Sequence, residues 1–297
     1  MSQDKIGKTR HAALHPLRTP PRGVLHRVPV GEFEHQRLAP PEDLADWIEH
    51  VWRVRWNLEG LAPQLQETLP HPNIHLVLEP GAAAVWGVHS RRWSRELAGR
   101  SLALGIKFRP GAFRPWLGGP VSALSDCSRP LLDLFGHESQ ALNAALEMEA
   151  MEDAATHVLD FLRARLPAPD AQALLAGRIV DSVAADLSLH SAEALAARWQ
   201  MSLRSLQRLF SEYVGVGPKW VIQRYRMHEA VARVQAGETI SWAALAQDLG
   251  FFDQAHFSAA FRCMIGQTPG GYARAHAEAA VASPAPHRRS SGPGRPG

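Results

Sequence analysis

The chain has 297 residues, of which 45% are hydrophobic and 21% are charged. This length and apolar content are enough to bury a sizeable core and favour two domains, which excludes a disordered or low-complexity protein. The net charge of +3 is too small to identify a partner by itself. The N-terminus is polar, and no run of roughly 18 apolar residues occurs, so we expect neither a signal peptide nor a membrane span, and a cytoplasmic location.

The N-terminal segment, residues 1–30, carries six Lys/Arg against one acid and four prolines, without sustained periodicity. It is expected to be a mobile basic arm. The folded part is expected to begin with a helix over residues 41–51, because Leu44, Trp47, Ile48 and Val51 share one helical face.

The next part of the chain alternates between apolar and polar residues and then changes to helical spacing. Alternation predicts strands at 52–56, 74–78, 83–87 and 102–108, separated by Pro and Gly. Helical segments are predicted at 112–117, 139–147 and 151–166. The pattern favours a small antiparallel sheet with helices, an α+β domain over residues 31–167 that ends at a proline-containing linker.

Three residues of this domain are candidates for binding a small-molecule effector. Trp52 and Trp86 would line an apolar pocket, and Arg109 would bind an anionic group. The alternative is that the tryptophans, like most aromatic residues in strands, simply form core.

A metal site is the other hypothesis for this domain. His71, His75 and Glu79 have ligating side chains, and alternation places His75 and Glu79 on one strand face. Pro72 and Pro80 interrupt that geometry, which favours structural histidines.

The two cysteines, Cys127 and Cys263, lack CxxC spacing, and we expect buried or half-buried thiols. No metal and no cofactor are predicted.

From residue 171 onward the chain is predicted to be helical almost throughout. Four helices are expected to begin after a residue that can cap them: Ser191, Ser202, Ser241 and Asp253. A long helix is expected from Pro218 to Gln235, and at about 1.5 Å per residue it would span roughly 27 Å.

The most informative motif lies near the end of the chain: GFFDQAHFSAAFR over residues 250–262, followed by GQTP over residues 266–269 and by Tyr272. The glycine supplies a sharp turn, and Asp253 caps the next helix. Apolar residues then recur at i, i+3, i+4 and i+7 from Phe257. This is a helix-turn-helix pattern.

With Arg208, Phe210, a second helix-turn-helix upstream and the long helix between the two, this stretch closely resembles the DNA-binding domain of the AraC/XylS family of bacterial transcription regulators. The resemblance covers roughly residues 171–275. It implies an all-α double helix-turn-helix domain at 168–276 and transcription factor activity through sequence-specific DNA binding. Residues 277–297 are expected to form a disordered tail. Segments of the N-terminal part resemble a domain found in a subset of AraC-type regulators without a defined ligand: 34–37, 49–52, 69–72 and 105–111.

The candidate DNA-contacting residues lie on the outward faces of the two recognition helices. In the first unit they are Arg204, Gln207, Arg208 and Ser211, and by resemblance the first three match positions that approach DNA. In the second unit they are Gln254, His256, Ser258 and Arg262. Arginine fits guanine or phosphate, and glutamine fits adenine. The alternative is that both faces are merely solvated.

The second unit is expected to make fewer hydrogen bonds to bases. Many family members carry an arginine at the position of Ala259 and a serine at that of Ala255. Gln254 and His256 are therefore the expected base readers, Arg262 is expected on a phosphate, and the alanines can touch thymine methyl groups.

As a partner the resemblance implies double-stranded DNA. RNA polymerase and a small-molecule effector are further candidates, no membrane is expected, and both a monomer and a homodimer remain open. The N-terminal domain would sense an effector or mediate dimerisation. The alternative function is a DNA-binding domain fused to an enzymatic, DNA-repair-like domain using Cys127. No histidine stands beside that cysteine and no zinc quartet or nucleophile elbow occurs, so the sequence favours a protein that is not an enzyme.

Overall fold

The computed structural model describes residues 14–26 and 30–282. Within them, the N-terminal domain contains two sheets in which every strand pair is antiparallel, as predicted. The six-stranded sheet has the order β2-β3-β8-β5-β6-β9, and the three-stranded sheet has the order β1-β4-β7. The strands are β1 (Val24–His26), β2 (Glu32–Leu38), β3 (Ile48–Leu58), β4 (Gln64–Thr68), β5 (His75–Glu79), β6 (Ala82–Trp86), β7 (Trp93–Leu97), β8 (Gly99–Phe108) and β9 (Ser128–Pro130).

Helices cover one face of the large sheet. They are α1 (Arg114–Leu117), α2 (Leu131–Phe135) and α3 (Met151–Arg163), with 3-10 segments at Glu42–Leu44, Val121–Leu124 and His137–Leu146. Side chains such as Leu76 and Ile106 from the sheet and Val158 from α3 are fully buried in one core. Each contributes about 1.5–3 kcal/mol by leaving water.

The C-terminal domain is helical, as predicted. Its helices are α4 (Ala171–Ala185), α5 (Ala192–Arg198), α6 (Leu203–Leu209), α7 (Pro218–Gln235), α8 (Trp242–Asp248), α9 (Gln254–Ile265) and α10 (Pro269–Ala282). A π-turn, Phe210–Val214, follows α6. The long helix α7 has the predicted bounds.

The predicted helix over residues 41–51 is wrong. Only the 3-10 turn Glu42–Leu44 forms there, and β3 already begins at Ile48. An irregularity in the pairing of β3 with β8 occurs between Ile48 and His50. Such a bulge changes the alternation, so Ile48 and Val51 both reach the core although they are three residues apart. The spacing of these two core residues is therefore the same as on one face of a helix, although the segment is a strand.

The predicted arm is wrong for residues 14–26. The amide of Leu17 donates to the carbonyl of Arg37 at 2.9 Å, and β1 pairs with β4. Residues 1–13 and 27–29 lie outside the described residues. The predicted tail is wrong for 277–282, because α10 continues to Ala282. Residues 283–297 lie outside the described part. Cys127 and Cys263 are exposed rather than buried.

The two domains share a hydrophobic core at one place. Leu25 and Leu69 of the small sheet's region belong to the same buried cluster as Val231 of α7 and Phe261 of α9. The hydroxyl of Tyr272 donates to the carbonyl of Leu25 at 3.1 Å. The predicted domain boundary is thus crossed by direct packing, which fixes the second helix-turn-helix against the N-terminal domain.

Candidate nucleic-acid interface

The first helix-turn-helix consists of α5 and α6. The hydroxyl of Ser202 accepts a hydrogen bond from the amide of Ser205 at 3.1 Å, which caps α6 as predicted. Leu206 and Phe210 are fully buried against α4 and α7. The opposite face is exposed and carries the four predicted residues Arg204, Gln207, Arg208 and Ser211.

The far end of this first unit touches the N-terminal domain. The hydroxyl of Ser211 lies 3.2 Å from that of Ser122, and Glu212 accepts two hydrogen bonds from Arg114, at 3.0 and 2.7 Å. The hydroxyl of Ser125 donates to the carbonyl of Gly215 at 2.6 Å. Ser211 is therefore a contact between domains as well as a member of the exposed face.

The second helix-turn-helix consists of α8 and α9. Asp253 accepts a hydrogen bond from the amide of His256 at 2.7 Å and caps α9. Phe257 and Phe261 are fully buried. Of the predicted contact residues, Gln254, His256 and Arg262 are exposed and Ser258 is half-buried.

The turns of the two units have matching backbone geometry. Gln200 and Gly250 both adopt left-handed conformations, with φ of 52° and 69°. The next residue in each unit, Met201 or Phe251, donates its amide to a carbonyl of the preceding helix, at 2.9 and 2.8 Å. The units are therefore structural repeats of each other.

The helix α7 joins the two units and has 18 residues. Two of its arginines, Arg224 and Arg226, are buried and do not reach the surface where a phosphate could bind. Arg224 lies 4.3 Å above the ring of Trp220 and donates to the carbonyl of Ser90 at 2.6 Å. Burial lowers its pKa to about 10, so it stays charged at neutral pH. Lys219 is exposed.

No local pattern of residues indicates the contact between Arg92 and the second unit. Its Nη1 donates to the carbonyl of Ile265, the last residue of α9, at 2.8 Å, and its Nε lies 3.1 Å from Glu67. A cation suits the negative end of a helix. The partners are 173 positions apart, so local patterns could not reveal them.

The three candidate effector residues do not come together. Trp52 on β3 and Trp86 on β6 share one sheet face, on either side of His75. The indole of Trp52 lies on Gly105 and its Nε1 donates to Nδ1 of His75 at 3.3 Å. Arg109 instead lines a cavity of about 210 Å³ between the domains, bordered by Trp47, Asp46, Asp170, Asp181 and α4. Burial raises the pKa of Asp181.

The residues of the metal hypothesis have separate partners. His71 stacks on His228, His75 accepts from Trp52, and Glu79 forms an ion pair with Arg95. Among the described residues, no group of three or more His, Cys, Asp or Glu side chains has a geometry that could hold a metal ion.

Residues 195–275 match a protein family described as a helix-turn-helix domain, and residues 36–129 match a family described as a domain of unknown function. The first match begins within α5 and includes α6, α7, α8 and α9, so it contains both recognition helices described above. Residues 195–275 of this chain form a helix-turn-helix domain, as the resemblance to the AraC/XylS family implied. Within the described ranges, no helix has the length and apolar content needed to cross a membrane.

This helix-turn-helix domain is similar to curated transcription activators. Over 76 residues it is 36% identical to the HTH-type transcriptional activator RhaS of Pectobacterium carotovorum, which covers 26% of this chain and 27% of that protein. Over 75 residues it is 35% identical to RhaS of Pectobacterium atrosepticum, and this match covers 25% of this chain and 26% of that protein. The chain thus matches about a quarter of the length of these relatives.

Two solved structures also resemble the chain. A transcriptional regulator with an AraC-type DNA-binding domain from Chromobacterium violaceum is 26% identical, with a TM-score of 0.31, over 34% of this chain and 89% of that one. ToxT from Vibrio cholerae O395 is 12% identical, with a TM-score of 0.37, over 82% of this chain and 96% of that one.

Proposed function

We propose that this protein is a sequence-specific DNA-binding transcription regulator that acts in the cytoplasm. In this proposal α6 and α9 enter successive major-groove segments of one duplex. The observation that carries it is the arrangement of two capped helix-turn-helix units, each with a buried apolar face and an exposed outward face, joined by α7.

The length of α7 supports the spacing that this proposal requires. Its 18 residues reach roughly 27 Å, which is comparable to one DNA turn of roughly 34 Å. A single chain therefore suffices for two adjacent groove segments, and a symmetric dimer is not required. The half-buried Trp220 and the buried Arg224 both donate to the carbonyl of Ser90 and so attach α7 to the N-terminal domain, which stiffens this spacer.

The first unit carries the polar recognition in this proposal. Arg204, Gln207 and Arg208 are exposed and project from one side of α6. An arginine that pairs with guanine or a glutamine that pairs with adenine contributes about 1–3 kcal/mol of discrimination against the wrong base. In the second unit, Gln254 and His256 face bases, Ser258 lies at the edge of the contact, and Arg262 binds a phosphate.

The test uses Arg208→Ala in the full chain, with DNA affinity measured at fixed salt on the upstream region of its own gene. The variant should bind its preferred site at least fivefold more weakly, because it loses a charged side chain from the centre of the face. Arg100→Ala changes an exposed arginine on β8, away from both recognition helices and from the Arg109 cavity, and should leave affinity within twofold. Equal affinity of the Arg208→Ala variant and the unchanged protein would remove α6 from the interface.

The N-terminal domain is proposed to sense a small molecule or to mediate self-association. An effector bound at the Arg109 cavity would touch α4 as well as the N-terminal domain and so couple occupancy to the DNA-binding part. The domains share a core, so a thermal-shift screen of metabolites should use the full chain. A ligand whose stabilisation is lost in Arg109→Ala supports this site, and one whose stabilisation is lost in Trp52→Leu instead places the ligand on the sheet face.

A catalytic role for Cys127 is not part of this proposal. The thiol is free and exposed. Cys127→Ser should leave DNA binding and regulation intact. Loss of function in a folded Cys127→Ser protein would favour the enzymatic alternative.

A further inference from the structure

The turn of the second unit contains one residue more than the turn of the first. In the first unit Met201 is followed directly by the capping residue Ser202, whereas in the second unit Phe252 stands between Phe251 and the capping residue Asp253. Phe251 is buried, as its counterpart Met201 partly is, but Phe252 is 93% exposed. The inserted phenyl ring therefore contributes nothing to the core.

The outward side of α9 is largely apolar, and the exposed Phe252 adjoins its N-terminus. Within α9, Ala255, Ala259 and Arg262 follow at intervals of four and three residues, the spacing of one helical side, and Phe252 lies in the turn just before the capping residue Asp253. All four are exposed, while Phe257 lies buried on the opposite side. The second recognition helix thus presents a line that is apolar over most of its length and cationic at one end.

The first unit has a different surface at the matching positions. Counted from the capping residues, Ala255 corresponds to Arg204, and Ala259 corresponds to Arg208. Where the first helix offers two guanidinium groups, the second offers two methyl groups and an adjacent phenyl ring. The two halves of a binding site must therefore be recognised by different chemistry.

We propose that Phe252, Ala255 and Ala259 bind the 5-methyl groups of thymines in the major groove. This inference rests on the proposed function. Thymine is the base that displays a methyl group in that groove, and apolar side chains recognise it by contact. The occupant is DNA rather than a protein, because Ala255 and Ala259 stand between the polar Gln254 in the first turn of this 12-residue helix and the exposed cation Arg262 in its last turn, and a cation beside the apolar residues favours a polyanion.

The experiment compares thymine with deoxyuridine, which lacks only the methyl group. The preferred duplex is first selected from random sequences with the full chain, and each thymine is then replaced singly. We expect about a fourfold loss of affinity for each contacted methyl group. The Arg208→Ala variant identifies the half-site bound by α6, because base preference is lost there. The losses caused by deoxyuridine should be confined to the other half-site, which α9 binds.

Protein variants identify the contacting side chains. Phe252→Ala should lower affinity for the thymine duplex and abolish the uridine effect for at least one thymine, with an unchanged melting temperature because the ring is exposed. Leu65→Ala, which removes an exposed apolar side chain on β4, is the matched control. It should change neither the affinity for the thymine duplex nor the effect of uridine. Ala259→Arg, at an exposed position, should shift one preferred base from thymine towards guanine.

One outcome would contradict thymine recognition alone, and another would contradict sequence-specific DNA binding itself. Sequence-specific binding with equal affinity for thymine and uridine at every position in the second unit's half-site would overturn this inference and leave the proposed function intact. Absence of any preferred duplex in the selection would overturn the proposed function itself.

Discussion

The imidazole rings of His71 and His228 stack with their centroids 3.8 Å apart and their planes inclined by 11°. His71 precedes β5 in the N-terminal domain, and His228 belongs to α7, so the stack joins the two domains. Burial lowers the pKa of both rings, to about 3 for His228, and the charge of Arg224 adds to the effect there. Lys107 also disfavours a proton on His71. Both rings are neutral at pH 7.

We expect the free energy of unfolding to decrease as the pH falls below about 6.5. The unfolded chain binds protons at its histidines near that pH, while the folded protein does not until much lower pH. The stabilisation is therefore complete above about 6.5 and is lost towards pH 3. Each such histidine contributes about 1.4 kcal/mol per pH unit. Urea unfolding at several pH values measures this slope.

His228→Phe is the variant that isolates the stack. It keeps an aromatic ring, removes the titration, and removes an Nδ1 that has no hydrogen-bond partner among the described residues. The pH slope should become smaller, though not zero, because His35 and His75 also have lowered pKa values of about 4 and 3. His137→Gln, at an exposed site, should keep the slope. An unchanged slope in His228→Phe would contradict the assignment.

Arg92→Ala should loosen the end of α9. The variant loses a hydrogen bond to the carbonyl of Ile265 and an ion pair with Glu67, and we expect a loss of about 1–2 kcal/mol of stability. Amide hydrogen exchange of residues 262–266 should accelerate. The neighbouring Arg91 is exposed, so Arg91→Ala is the control and should change stability by less than about 0.5 kcal/mol. Equal exchange in the two variants would show that the contact is dispensable.

Gly105→Ala should destabilise the N-terminal domain by about 1–3 kcal/mol. A Cβ at this position of β8 would overlap the indole of Trp52, which lies directly on the glycine. In a Trp52→Ala background the same substitution should cost less, because the ring is absent. Gly119→Ala, where no atom of the described residues lies within 4 Å of the added Cβ, is the control. Equal costs in both backgrounds, measured by urea unfolding, would disprove the overlap.

Gln200→Gly should stabilise the protein by about 0.5–1 kcal/mol. Gln200 is exposed and has φ of 52°, a left-handed conformation in which a side chain is unfavourable, and the matching residue in the second unit is already Gly250. Gln247→Gly, at an exposed helical position in α8, should instead cost about 1 kcal/mol. Thermal unfolding measures both changes. Melting temperatures that shift in the same direction for the two variants would contradict the assignment of backbone strain to Gln200.

The helices of the C-terminal domain were predictable because their signals are local. Ser202 and Asp253 cap helices through amides three residues away, and Pro218 begins the helix that ends at Gln235. The strands were harder to predict. The strands β2, β4 and β7 are partly exposed and lack clear apolar alternation. In β3, a bulge places Ile48 and Val51 on the same face although they are three residues apart, and this spacing is typical of a helix.

The sequence by itself determined the two helix-turn-helix units and their exposed faces, since capping and apolar periodicity act within a few residues. Only the tertiary structure decided that Arg224 is buried, that Arg92 holds the end of α9, and that Trp52 and Arg109 lie at different sites. Those outcomes depend on partners far away along the chain. The energy of a buried charge or an interdomain contact is set by what surrounds it, and no local pattern of residues contains that information.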